Sequence, residues 1–63
     1  MTDLILTPNL KAADDVYADL LAAHDGLTPS ESMAFNARMI LILANHIGDA
    51  DVIRHALEEA AGS

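Results

Sequence analysis

The segment from Asn36 to Asp49 constrains the fold of this chain more than any other stretch. It reads N-A-R-M-I-L-I-L-A-N-H-I-G-D, so it is mostly apolar, with two asparagines, an arginine and a histidine among the apolar residues. Such a segment is too hydrophobic to lie on the surface of a single small domain. The rest of the chain must therefore supply residues that cover it.

The residues before this segment predict where its helix begins. Thr28, Pro29 and Glu31 form a capping box with proline at the first helical position, which is a specific signal for a helix start. Gly48 is typical of a helix end. We therefore predict a helix over 29–47. On a helical wheel Glu31, Arg38 and Asn45 form one narrow polar seam. The remaining surface of the helix is wide and apolar, which predicts that other elements pack on this helix from several directions.

Two amphipathic helices flank this central one. The first is predicted over 12–25, ending at Gly26, and the third over 50–61, capped by Asp49. Each has one apolar side, and the short loops favour antiparallel neighbours. Residues 1–11, which contain Leu4–Leu6 and Pro8, are predicted to form an extended arm. The expected fold is all-α, a three-helix up-down-up unit forming one helical domain over 1–63.

The size of the chain predicts self-association. A chain of 63 residues buries too little surface to be very stable alone, and without cysteine it has no disulfide to compensate. Two apolar sides do not cover the whole central helix, so we expect a homodimer through that helix, because a twofold interface is self-complementary. The alternative is a monomer in which the arm folds back over the gap. The predicted interface and core residues are Phe35, Asn36, Met39, Ile42, Leu43 and Ile47.

Charge and hydropathy exclude several classes of partner. Ten acidic residues against three basic ones give a net charge of −7, and the basic residues are scattered, so we expect no binding to nucleic acid or to an anionic membrane. The longest apolar run, Met39–Ala44, is far shorter than a membrane span. No secretion signal is recognisable, so we expect a cytoplasmic protein.

Four residues are candidates for a chemical or structural role. His24 lies on the apolar side of the first helix and is predicted to be a buried polar residue whose partner is Asn36, Ser32 or Asn45 of the central helix. Asn36, inside the apolar arc of the central helix, is predicted to be buried and to fix register and oligomeric state. His46 and Asp49 are three residues apart and could provide half of a metal or small-ligand site. No catalytic constellation and no cofactor motif accompanies them, so we expect no enzyme and no cofactor.

Three segments of the chain carry a resemblance: T-P-N-L at 7–10, Y-A-D-L-L-A-A-H-D-G-L at 17–27 and F-N-A-R-M-I-L-I-L-A-N-H-I-G-D at 35–49. Together they resemble a family of small bacterial proteins of unknown function, found in alpha- and betaproteobacteria, with N-A-R and A-N-H-I-G-D as its signatures. Members of that family often sit beside catabolic genes, including those of flavin-dependent hydroxylases. The resemblance implies an accessory role and assigns no function to any residue.

Two hypotheses of function follow. The first is a non-enzymatic, homodimeric helical interaction module that supports or regulates an unidentified protein partner such as a catabolic enzyme. The second is a small-ligand or metal-binding protein that uses His46, Asp49 and neighbouring polar residues.

Overall fold

The computed structural model describes residues 3–62, which contain three α-helices and no β-strand. Helix α1 spans Ala13–Ala23, α2 spans Pro29–Ile47 and α3 spans Ala50–Ala60. The predicted all-α class is therefore confirmed. The described part of the predicted arm is irregular, and Met1 and Thr2 lie outside the described residues.

Helix α2 begins and ends at the residues that the sequence predicted. The Thr28 hydroxyl accepts a hydrogen bond from the Glu31 backbone N–H (3.1 Å), and the Glu31 carboxylate accepts one from the Thr28 backbone N–H (2.9 Å). Both bonds satisfy N–H groups that a helix start leaves without an intrahelical partner. At the other end Gly48 has φ 71°, a left-handed conformation that glycine adopts without steric cost.

Helix α3 follows almost at once and packs against α2. The Asp49 carboxylate accepts hydrogen bonds from the backbone N–H groups of Asp51 (3.0 Å) and Val52 (3.3 Å), which fixes the first turn. Val52 is the one buried apolar side chain among the described residues, at 8% exposure. The α2–α3 hairpin therefore holds what core the single chain has.

Helix α1 is shorter than predicted at both ends. Ala12 has φ 54°, so it precedes the helix in a left-handed conformation. At the other end the backbone N–H groups of His24 and Asp25 bond to carbonyls three residues earlier, which tightens the chain into a turn before Gly26. The predicted helix over 12–25 is thus too long at both ends.

The predicted packing of α1 alongside α2 is absent from the structure. No Cα atom of α1 lies within 8 Å of a Cα atom of α2 or α3. The apolar side of α1 is accordingly open: Val16 and Leu20 are half-buried, whereas Tyr17 and Leu21 are exposed. A short loop brings helix ends together, but it does not by itself make the helices pack along their lengths.

The whole chain is more open than a folded protein of its size. Its radius of gyration is 13.4 Å, against about 11 Å expected for 63 residues. It exposes 5491 Å², whereas a folded monomer of 6.7 kDa typically exposes about 3,900 Å². Within the described part of the chain, none of the helices has the length and apolar character needed to cross a membrane.

Candidate functional site

The most distinctive surface of the molecule is an exposed apolar stripe along α2. We define the α2 stripe as the five residues Met33, Asn36, Ile40, Leu43 and Ile47, which alternate in steps of three and four. At 100° per residue they fall within an arc of about 80° on one side of the helix. This spacing is the seam of a coiled coil, in which such residues insert between those of a facing helix.

The α2 stripe is largely exposed in the single chain. Met33 is 73% exposed, and the other three apolar members keep roughly half or more of their surface exposed. Asn36 is exposed as well. Singly exposed apolar residues are ordinary on protein surfaces, but a continuous row of them marks an interaction site.

The C-terminal half of the α2 stripe continues into an open groove between α2 and α3. The groove has a volume of about 290 Å³, and every residue that lines it is apolar. Ile40, Leu43 and Ile47 line one side, and Ile53 and Leu57 are among the α3 residues on the other. Leu4 from the N-terminal arm also lines the groove and is half-buried. The arm thus contributes to this surface without closing it.

The residues predicted for the interface divide into three groups in the structure. Asn36, Leu43 and Ile47 belong to the α2 stripe. Phe35 and Met39 are half-buried on a neighbouring side of the helix, and Ile42 is exposed beyond them. Their burial in a dimer stays a prediction. Met33 and Ile40 were outside the predicted set, although the spacing of three and four residues from 33 to 47 was readable in the sequence.

The turn between α1 and α2 contains His24, whose side chain contacts two residues of α2. His24 Nδ1 lies 2.9 Å from Ser32 Oγ, at hydrogen-bonding distance. The imidazole also meets the Phe35 ring edge-on, with centroids 5.0 Å apart. His24 is half-buried, and the Ser32 hydroxyl is the hydrogen-bond partner of its Nδ1 atom. This arrangement positions the turn.

Two polar residues, His24 and Asn36, are predicted to be buried. No polar residue is buried within residues 3–62 of the single chain. His24 is half-buried. Asn36 is exposed, because α3 lies beside only the C-terminal half of the α2 stripe. Burial of Asn36 against another molecule stays a prediction.

Among the described residues, His46 and Asp49 do not belong to a cluster that could hold a metal ion. Across the described part of the chain, no three histidine, aspartate or glutamate side chains lie close enough to hold a metal ion. One oxygen of Asp49 already caps α3 through two backbone N–H groups. The third histidine, His55, lies on α3 with its Nε2 atom 3.6 Å from Glu59 Oε1.

Comparison with known proteins places the chain in a family. A family model described as a protein of unknown function (DUF2783) matches residues 4–62. The chain therefore belongs to this family, which confirms the resemblance to a family of unknown function. No curated protein and no solved structure matched the chain.

Proposed function

We propose that this member of the DUF2783 family is a homodimeric helical interaction module, without catalytic activity of its own, in which two copies associate through α2. The observation that carries the proposal is the exposed α2 stripe, with the groove that continues it. Burying these side chains is the strongest favourable term available to so small a chain.

The surface area supports a dimer in particular. The chain exposes about 1,600 Å² more than a folded monomer of its mass typically does. A standard protein interface buries about 800 Å² on each partner, and obligate homodimers bury more. Covering about 1,600 Å² on each of two copies takes about 3,200 Å² of interface in total, which lies in the range of obligate homodimers. One additional copy can therefore cover the excess, and it also provides α1 with apolar surface to pack on. The predicted up-down-up arrangement of helices is proposed to form in this dimer.

The partner of this dimer is proposed on a different ground, namely the resemblance to small proteobacterial proteins encoded beside catabolic genes. We propose a cytoplasmic accessory role in which the dimer supports or regulates such an enzyme. The acidic surface, with a net charge of −7 per chain, favours a partner that presents a basic patch.

The dimer is tested by measuring mass in solution with light scattering and sedimentation equilibrium. We expect a particle of twice 6.7 kDa at micromolar concentration. Met33→Asp places a charge in the α2 stripe and should give a monomer. Leu41→Asp is the matched control, because Leu41 is equally exposed at 70% but lies outside the stripe, and it should remain dimeric.

Two results would contradict this proposal. One is a wild-type chain that stays at 6.7 kDa across the accessible concentrations while remaining fully helical by circular dichroism. The other is equal dissociation of the Met33→Asp and Leu41→Asp variants, because the stripe would then not be the surface that associates. Circular dichroism of both variants separates loss of association from loss of folding.

A further inference from the structure

The α2 stripe contains one polar residue, and its position limits how two copies can pair. Asn36 lies between Met33 and Ile40, with Leu43 and Ile47 following along the same side. Any partner that covers the apolar members also covers the Asn36 amide. An amide removed from water needs a hydrogen-bond partner on the facing surface, or the association is weakened.

Charged residues on α2 do not set the orientation of a dimer. Glu31 and Arg38 lie on the side of the helix opposite the α2 stripe. The positions that flank the stripe carry no Asp, Glu, Lys or Arg. In coiled coils such flanking positions select the partner and its direction through ion pairs. On the α2 stripe, the Asn36 amide is therefore the polar group that can select the direction of the partner helix.

The surroundings of the Asn36 amide differ between an antiparallel and a parallel pair of α2 helices. In an antiparallel pair whose helices overlap along their full length, Asn36 faces Ile40 of the other copy, and both amides lack a partner. In a parallel pair in register, Asn36 faces Asn36, and each apolar member of the stripe faces its own equivalent. A carboxamide has both donors and an acceptor, so two of them can bond to each other.

We infer that the occupant of the α2 stripe is a second copy of the chain in parallel orientation and in register, with the two Asn36 side chains paired across the twofold axis. This inference rests on the proposed function and adds to it the direction, the register and the residue that selects them. The area argument for a dimer holds in either direction, so the two proposals can fail separately.

The absence of cysteine makes disulfide trapping a clean test. Met33→Cys and Leu43→Cys are prepared separately and mixed, then equilibrated in a glutathione redox buffer, and the disulfides are identified by intact mass. A parallel pair in register brings equal positions together, so each variant should crosslink to itself. An antiparallel pair brings 33 opposite 43 and should give the mixed disulfide. Leu41→Cys, outside the stripe, is the control and should crosslink weakly.

The outcomes separate the two proposals. A dimer by mass that gives only the mixed disulfide overturns the parallel arrangement and leaves the proposed function standing. A monomer by mass overturns both. Crosslinking of Leu41→Cys as strong as that of Met33→Cys would show random collision, and it also overturns the inference.

Asn36→Leu tests whether the amide does the selecting. Without it we expect the mixed disulfide to appear beside the equal-position ones, or oligomers larger than a dimer to form, while helix content is kept. If Asn36→Leu leaves both the crosslinking pattern and the mass unchanged, Asn36 does not select the orientation and that part of the inference is wrong. Circular dichroism of each variant confirms that the helices are retained.

Discussion

Glu31 stands out among single residues because its charge and its hydrogen bonds act on the same helix end. The backbone N–H of Thr28 donates to its carboxylate, and this bond, with a further one from the Thr28 side chain, lowers the pKa of Glu31 from its usual value of 4.5. A carboxylate here also lies near the positive end of the α2 dipole. The ionised form of Glu31 therefore stabilises the folded state more than the protonated form does.

The sign of the resulting pH dependence follows from linkage. Because the pKa of Glu31 is lower in the folded chain, its contribution is fully present above pH 4.5 and is lost as the pH falls through the folded pKa. Glu31→Gln keeps an acceptor for the Thr28 N–H but does not titrate. We expect the melting temperature of wild type to exceed that of Glu31→Gln near pH 6, and the difference to shrink as the pH falls through the folded pKa of Glu31.

Thermal denaturation followed by circular dichroism between pH 3 and pH 7 checks this prediction. Asp19→Asn is the control, because it removes one exposed carboxylate for which the structure shows no hydrogen bond. A wild-type advantage over Glu31→Gln that grows as the pH falls would have the wrong sign. It would show that the carboxylate is not what stabilises the start of α2.

At the scale of elements, α2 and α3 form the packed unit and α1 stands apart. The starts of α2 and α3 were predictable because caps depend on nearby residues: Thr28 on Glu31, and Asp49 on the two residues that follow it in α3. The C-terminal end of α3 lies at Ala60, one residue before the predicted limit of 61. The packing of α1 was not predictable, because an amphipathic pattern shows that a side needs cover without showing which surface provides it. The same reason left Met33 and Ile40 outside the predicted interface, since the wheel of α2 is apolar in several directions.

The α2–α3 contact predicts unequal costs for truncating two apolar side chains. Val52, at 8% exposure, is buried between these helices, so Val52→Ala should destabilise the chain by about 1.5 kcal/mol, from the two methyl groups lost. Leu41→Ala removes more atoms, but Leu41 is 70% exposed and outside the α2 stripe, so its cost should stay within about 0.5 kcal/mol. Urea denaturation at one fixed protein concentration measures both.

If the number of atoms removed alone decided the loss of stability, Leu41→Ala would cost more than Val52→Ala. The comparison therefore separates the effect of burial from that of side-chain size. Should Leu41→Ala cost as much as Val52→Ala, Leu41 must be covered in solution. The associating surface would then extend beyond the five residues of the α2 stripe.

At the scale of the whole molecule, folding and association are expected to be strongly coupled. One buried apolar residue among those described, with about 1,600 Å² of surplus surface, leaves little to offset the conformational entropy of ordering the chain. Small chains that lack disulfides and metals obtain the missing stability from a partner. For such a protein the stability of the folded state cannot be separated from the concentration of the chain.

The melting temperature should therefore rise with protein concentration. Each tenfold increase in protein concentration adds about 1.4 kcal/mol to the stability of the dimer. With an unfolding entropy of about 2.1 cal/mol/K per residue, summed over both chains, this raises the melting temperature by about 5 °C. Circular dichroism in cells of different path length covers a hundredfold range and should show a shift of about 10 °C. Met33→Asp, which removes association, should melt lower and at a temperature independent of concentration. A wild-type melting temperature equally independent of concentration would mean that the α2–α3 hairpin is stable by itself and that any association follows folding.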